Sequence, residues 1–313
     1  MNLAEALLGR RLGANEKLEA IAGLIDWSCL EPLVSGLRSG EVGRPPYPPL
    51  SMLKALYLQR LYNLSDPGLE EALLDRLSFR RFCGLSLEAR TPDETTICRF
   101  RQAAAEAGAM QACFGEIGRQ LEAKGLLVRQ GTLMDASIVR ARHNPPPIEA
   151  GRGARHEKEP GADWTFKRGR SHFGYKAHVG VDAGSGLIRR AVVTPAKASE
   201  SEVADALIVG DERAVYGDKA YESKQRRAAL KARGIKDRSM RRANRWHALP
   251  ARRQHWNELV GRRRAPVEAV FSAMKRLYGL GRARCSTLQR NAADIFTFAT
   301  VYNLRRAVIL GAT

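Results

Sequence analysis

The sequence predicts a helical N-terminal region, 1–125, followed by an α/β domain, 126–313, built on a mixed sheet flanked by helices. Three observations carry this. Apolar residues recur at helical spacing through the first part. From about residue 126 the period shortens to that of strands, which then alternate with helices. Pro- and Gly-rich breaks punctuate both parts.

In the first part, Leu18, Ile21 and Ile25 mark a helix that GLRSG closes near residue 40. RPPYPPL (44–50) breaks the chain, and SMLKALYLQRLYNL (51–64) is an apolar core helix. Ser65-Asp66-Pro67 starts a helix that continues to Gly84. Thr91-Pro92-Asp93-Glu94 predicts a capping box, with the Thr hydroxyl and the Glu carboxylate exchanging bonds across the first turn. The helix it opens carries Arg99 and Arg101 on a polar face, which suits either a helix-turn-helix module or a plain bundle.

In the second part, LLVRQGTLMDASIVRARH reads as a strand. HFGYKAHVGVDAGSGLIRRAVVTPA (172–196) reads as a hairpin turning at Asp182–Gly186. ESEVADALIVG is a helix, AVYGDKAY a strand and turn, and ESKQRRAALKARG another helix. Pro266 is expected in the first turn of a helix PVEAVFSAMKRLYGL, and DIFTFATVYNLRRAVIL (294–310) is a long apolar helix. The segment 141–164, rich in Pro, Gly and charge, reads as a loop.

Charge narrows the partner class. Fifty-two Lys and Arg against 33 Asp and Glu give a net charge of +19, which favours polyanions through counterion release. The segment 226–264 concentrates this, with 14 cations and two acids. It fits a solvated linker or an ordered DNA-binding segment. Trp246 and Trp256 among its arginines favour the second, with Arg241, Arg242, Arg245 and Trp246 as DNA contacts. No run approaches the ~20 apolar residues of a membrane helix, and the charged start is not a signal peptide. Five scattered cysteines without a C-x-x-C pair argue for reduced thiols in a cytoplasm and against zinc. No G-x-x-x-x-G-K-[ST] motif is present, so no nucleotide cofactor is expected.

Three carboxylates stand in unusual places. Asp135 lies in mid-strand in TLMDASIV, Asp218 follows an apolar strand in AVYGDKAY, and Glu268 is the one acid in RRRAPVEAVFSAMKRLYG. Each has a structural reading, as a backbone or ion-pair partner. Together they match an oxygen-ligand Mg²⁺ site, since Mg²⁺ takes one or two carboxylates and leaves positions for phosphate oxygens. Two such ions support in-line phosphoryl displacement, and Mn²⁺ is expected to substitute. Arg264 and Lys275 share a helix face with Glu268, and Arg262 and Arg263 adjoin it. Lys176 and His178 lie two apart on a strand next to the expected site, as possible DNA contacts or packing. Tyr221 reads as packing.

With these motifs on the page, the chain resembles DDE transposases of bacterial insertion sequences, specifically insertion sequence family five, over nearly its whole length. The family's C-terminal signature is Tyr, two residues, Arg, three residues, Glu, six residues, Lys. Arg264, Glu268 and Lys275 match it, and Gly261 stands where the Tyr is expected. The resemblance implies an RNase H-like fold with Asp135, Asp218 and Glu268 as metal ligands, and Arg264 and Lys275 on DNA near the cleaved phosphate. It further implies cleavage of double-stranded DNA at terminal inverted repeats, transfer of the 3′-hydroxyls into target DNA, and a homodimer or higher oligomer acting on the bacterial nucleoid. A nuclease that does not join ends, or an inactive or repurposed DNA-binding relative, is the alternative.

Overall fold

The structure is a computed structural model that describes residues 14–37, 46–146, 156–167, 169–243 and 246–311. Expectations for the charged start, for Arg245 and for the middle of the 141–164 loop lie outside these residues. The chain forms two compact units, Met1–Lys124 with Phe296–Thr313, and Gly125–Ile295.

The first unit is helical. Helix α1 (Glu16–Leu24) starts at Asn15, whose side chain accepts from the Leu18 amide, and α2 (Glu31–Val34) follows a 3-10 turn. Helix α3 (Pro49–Leu61) buries residues nearly all round, as its continuous apolar sequence predicts. The helix expected over 65–84 is two helices, α4 (Asp66–Asp75) and α5 (Leu77–Cys83). Extended backbone at Arg76 separates them, and α5 ends on Gly84 in the left-handed conformation (φ 72°). The buried Arg80 then holds the next loop by donating to the carbonyls of Ser86, Leu87 and Ala89.

The capping box at Thr91 does not form. Helix α6 (Glu94–Glu106) is capped by Asp93, which accepts from the Thr96 amide at 2.6 Å, while the Glu94 amide donates to Glu70. Asp93 stands three residues before Thr96, so a carboxylate, an intrinsically better cap than threonine, takes the amide. Helix α7 (Ala109–Ala123) was not anticipated; its N-cap is Gly108 at φ 68°. In this unit Phe114 packs on Phe296, and the Arg60 guanidinium lies 4.1 Å from the Phe298 ring centre.

The second unit is a six-stranded mixed sheet flanked by helices, the architecture the sequence predicts and that of an RNase H-like domain. Strands β1 (Thr132–Arg140), β2 (Asp163–Lys167), β3 (Arg170–Asp182) and β4 (Ile188–Pro195) pair antiparallel. Both β2 and β4 lie along the edge of β3 away from β1. Strands β5 (Ala214–Tyr216) and β6 (Lys236–Asp237) extend the other side in parallel with β1. The β3–β4 turn forms where Asp182-Ala-Gly-Ser-Gly predicts it. The buried Asp182 carboxylate accepts from the amides of Val128, Arg129, Gly184 and Ser185.

Between β4 and β6 come α8 (Glu200–Val203), only one turn of the helix expected there, and α9 (Lys224–Ala232). Met134, Ala204, Leu207, Val215, Tyr221, Leu230 and Ile235 form a shared core. Helix α10 runs from Ala251 to Tyr278, so Pro266 lies inside it, not at its start. The Arg-, Leu- and Glu-containing turns before Pro266 are good helix formers and carry the helix through one missing amide bond. The basic segment is therefore largely ordered as α9, β6 and the first half of α10. Helix α11 (Leu288–Gly311) closes the chain across the division between the units. Among the described residues no single helix is long and apolar enough to cross a membrane.

Candidate active site

Asp135 and Asp218 come together because β1 and β5 pair in parallel. The register sets Thr132 beside Val215 and Leu133 beside Tyr216, so two residues further along, Asp135 and Asp218 are level. Asp218 has left the strand and caps a 3-10 turn, Lys219–Tyr221, through a 2.8 Å bond from the Ala220 amide. This is the carboxyl end of a strand, where open α/β sheets bind ligands.

Asp135 is half-buried. Its Oδ1 accepts from the Ala136 amide at 2.9 Å and lies 3.4 Å from Arg264 Nη2. Burial raises its pKa above the usual carboxylate value, and the Asp218 charge adds to this. Arg264, the Ala136 amide and Lys167 oppose the rise without cancelling it. Asp218 thus adds to the cost of charging Asp135, which a cation beside the two carboxylates would relieve.

Helix α10 packs over this pair. The Arg264 side chain is buried, donating to the Met134 carbonyl at 3.2 Å, with its Nε left without a partner among the described residues. Glu268, one turn on, is exposed and makes no hydrogen bond or ion pair among the described residues. Two turns on from it, Lys275 has its pKa lowered by partial burial and by the charge of Lys167, with Asp135 opposing. Glu268 thus sits on the helix face between two cations that both feel Asp135. Among the described residues, however, no group of three or more His, Cys, Asp or Glu side chains is placed to hold a metal ion. The structure brings the two aspartates and Arg264 together and leaves Glu268 at the edge.

Several of the expected DNA contacts are engaged within the protein. Arg264 faces Asp135 and the β1 backbone, not the surface. Lys176 is buried, its ammonium held by the Ala198 carbonyl at 2.8 Å and Glu200 at 3.0 Å. His178 is fully buried against Thr194, and burial pushes its pKa down to about 4. Both lie on β3 between two paired strands, where nearly every position is covered. Arg241 is engaged by Asp237, Glu222 and the Trp256 ring; Arg242 is exposed, its backbone amide donating to Glu222 and its Nε to the Lys219 carbonyl. Arg101 is paired with Asp66.

Arg99, Arg262, Arg263 and Lys275 are exposed, as is Trp246, which is 76% accessible. Sequence reasoning missed Lys167, at the end of the unanticipated β2. It also missed a concavity of about 430 Å³ lined by Lys231, Lys236, Arg238, Ile235 and Trp256, among others. There the Arg238 guanidinium lies 5.0 Å from the Trp256 ring centre. The interleaving of Trp with cations was the available signal, but spacing does not say which cations find acids.

Two families match this sequence. The one described as Transposase domain (DUF772) matches residues 7–103. The one described as Transposase DDE domain matches residues 127–304, more than half of the chain. No solved structure matches it.

Proposed function

The chain belongs to the transposase DDE domain family, and from that premise we propose that it mobilises an insertion sequence of family five. It binds the terminal inverted repeats, cuts the DNA ends and joins the freed 3′-hydroxyls to target DNA. The family makes it a nuclease and transferase acting on DNA, and such domains generally use divalent metal ions. Residues 1–125 are the end-binding region and 126–313 the catalytic region, acting on DNA as a homodimer or higher oligomer.

The observation that carries this reading is the Asp135–Asp218 pair, level across β1 and β5, with a buried arginine against it. The pair fits Mg²⁺, whose hydration shell leaves one or two positions for carboxylates. Asp135 and Asp218 would hold the ion, with Glu268 as the third carboxylate. When bound, two such ions supply an activated water or 3′-hydroxyl and stabilise the leaving oxygen.

The protein's own groups do the rest. Arg264 holds Asp135 in place through one guanidinium nitrogen and clamps β1 through the Met134 carbonyl. Lys275, Lys167, Arg262 and Arg263 grip backbone phosphates on either side of the acids. Lys231, Lys236 and Arg238, with Trp256 beneath, bind the flanking duplex.

Isothermal titration with Mn²⁺ in the presence of duplex DNA tests the site. Wild-type protein is expected to take up the ion and Asp135→Asn to lose it. No uptake by the wild type, with DNA present, would overturn the catalytic reading in favour of a repurposed DNA-binding protein.

A further inference from the structure

The β2–β3 hairpin ends in an aromatic side chain that the fold does not use. Phe166 is 72% exposed. Gly169, in the left-handed conformation (φ 76°), closes the turn, and the register sets Phe166 beside Ser171 and Lys167 beside Arg170. Lys167 and Arg170 are exposed, and neither side chain has a hydrogen bond or ion pair among the described residues. A bare ring therefore stands among uncommitted cations.

The hairpin that carries this ring is anchored. Trp164, two residues earlier, lies on the same face of β2, because side chains alternate along a strand. It stands opposite the buried Phe173, with the ring centres 5.3 Å apart. Val139 pairs with Tyr175 and Asp135 with Val179, so by the same alternation Phe173 and Tyr175 share a face with Asp135. Phe166 thus ends an aromatic row on the sheet face that bears the aspartate.

Beside this row lies a concavity of about 230 Å³, lined among others by Arg140, His143, Trp164, His172, Phe173 and Arg282. Ser171, the cross-strand neighbour of Phe166, also lines it, which puts Phe166 at its mouth. Its rim is fixed: Arg282 donates to the carbonyls of Ala141 and Arg142, and His143 is held by the buried Glu159 at 3.0 Å. The Arg140 side chain is exposed and has no partner among the described residues. None of the described residues lining the concavity is acidic.

These features select one kind of ligand. Aromatic walls take a flat ring, and the cations around them take a polyanionic chain. Single-stranded DNA offers both, since its bases stack on aromatic side chains while Lys and Arg follow its backbone. In a duplex the bases stack on each other and leave no face for the ring or the concavity. Arg140 lies five residues beyond Asp135 on β1, about 17 Å at the rise of a strand, which is within a few nucleotides of the reacting phosphate.

We propose that the concavity binds an unpaired nucleotide next to the DNA end. Its base lies against Trp164, Phe166 stacks on the neighbouring base, and Arg140, Lys167 and Arg170 hold the phosphates. The inference rests on the proposed action on DNA ends and is independent of the metal site.

Binding of three labelled probes in EDTA tests it: a blunt duplex, the same duplex with a three-nucleotide single-stranded tail on the 3′ or the 5′ end, and that tail made abasic. Wild type is expected to bind the base-bearing tail about tenfold more tightly than the other two probes, the contribution of one stacked base. Phe166→Ala is expected to bind all three alike, and Phe166→Trp, which keeps an aromatic face, to retain the preference. Equal binding of blunt and tailed duplexes by wild type would overturn the proposal, as would a preference that survives Phe166→Ala. Equal binding of the abasic and base-bearing tails would overturn it in favour of phosphate contacts alone. No tail preference, together with a change in sedimentation of Phe166→Ala without DNA, would assign the face to a second copy of the chain. A wild type that binds none of the probes would instead overturn the reading on which the inference rests.

Discussion

Asp135 carries an unfavourable charge in the metal-free protein. Burial and Asp218 raise its pKa even with Arg264 alongside, so neutralising it removes a cost of folding. We expect Asp135→Asn to hold or raise the melting temperature in EDTA at neutral pH while abolishing metal uptake. A clear fall would mean that the Arg264 pair dominates. His178 gives the opposite sign against acid. Its folded pKa is depressed to about 4 from 6.5 by burial, so its contribution is present above pH 6.5 and is lost as pH falls toward 4. That contribution is on the order of 3 kcal/mol for a fully buried group. Urea titrations between pH 7 and 4 should show a shallower loss of stability in His178→Gln than in wild type. The two aspartates that the structure brings level were legible in the sequence because each breaks a local rule, one lying in mid-strand and one just beyond a strand; Glu268, a glutamate among arginines, stays exposed at the edge. The fates of Lys176 and His178 were not legible, since burial on β3 depends on pairing with strands on both edges.

At the scale of elements, local chemistry was legible in kind and shifted in place. The hairpin at Asp182 formed where its turn residues stand, whereas the start of α6 moved from Thr91 to Asp93. Asp93→Ala should destabilise the first unit by about 1 kcal/mol, the usual loss of a cap. Thr91→Ala should change it little, because the Thr91 carbonyl, which survives the substitution, makes the bond to Tyr47. Chemical denaturation of the two variants decides between the caps. Pro266 misled for a different reason. Proline marks first turns, but a long run of helix formers tolerates one inside, and helical register placed Arg264, Glu268 and Lys275 on one face in either case. Gly261, where the family signature has Tyr, stands against Met240, whose methyl would lie 3.3 Å from an added Cβ. A larger side chain there requires Met240 to give way.

For the whole molecule, a charge of +19 made a polyanion partner legible from composition, but not which cations meet it. Arg241 is held by Glu222 and Asp237; Lys231, Lys236 and Arg238 line an open concavity. Replacing these three by Ala should weaken binding to any duplex alike and reduce the slope of log K against log[salt] by about 3, close to one per phosphate contact. An unchanged slope would place the DNA elsewhere. The central claim is that the acids hold the ion that reacts with DNA while the cations hold its backbone. The most direct measurement is cleavage of a labelled duplex bearing the element's own ends, by wild type and Glu268→Gln, in Mg²⁺ and in EDTA. The account predicts nicking at the repeat boundary only for wild type in Mg²⁺, with the variant binding the duplex in EDTA as well as wild type or better. Equal cleavage by both proteins, or binding without cleavage by the wild type in Mg²⁺ and Mn²⁺ alike, would contradict it.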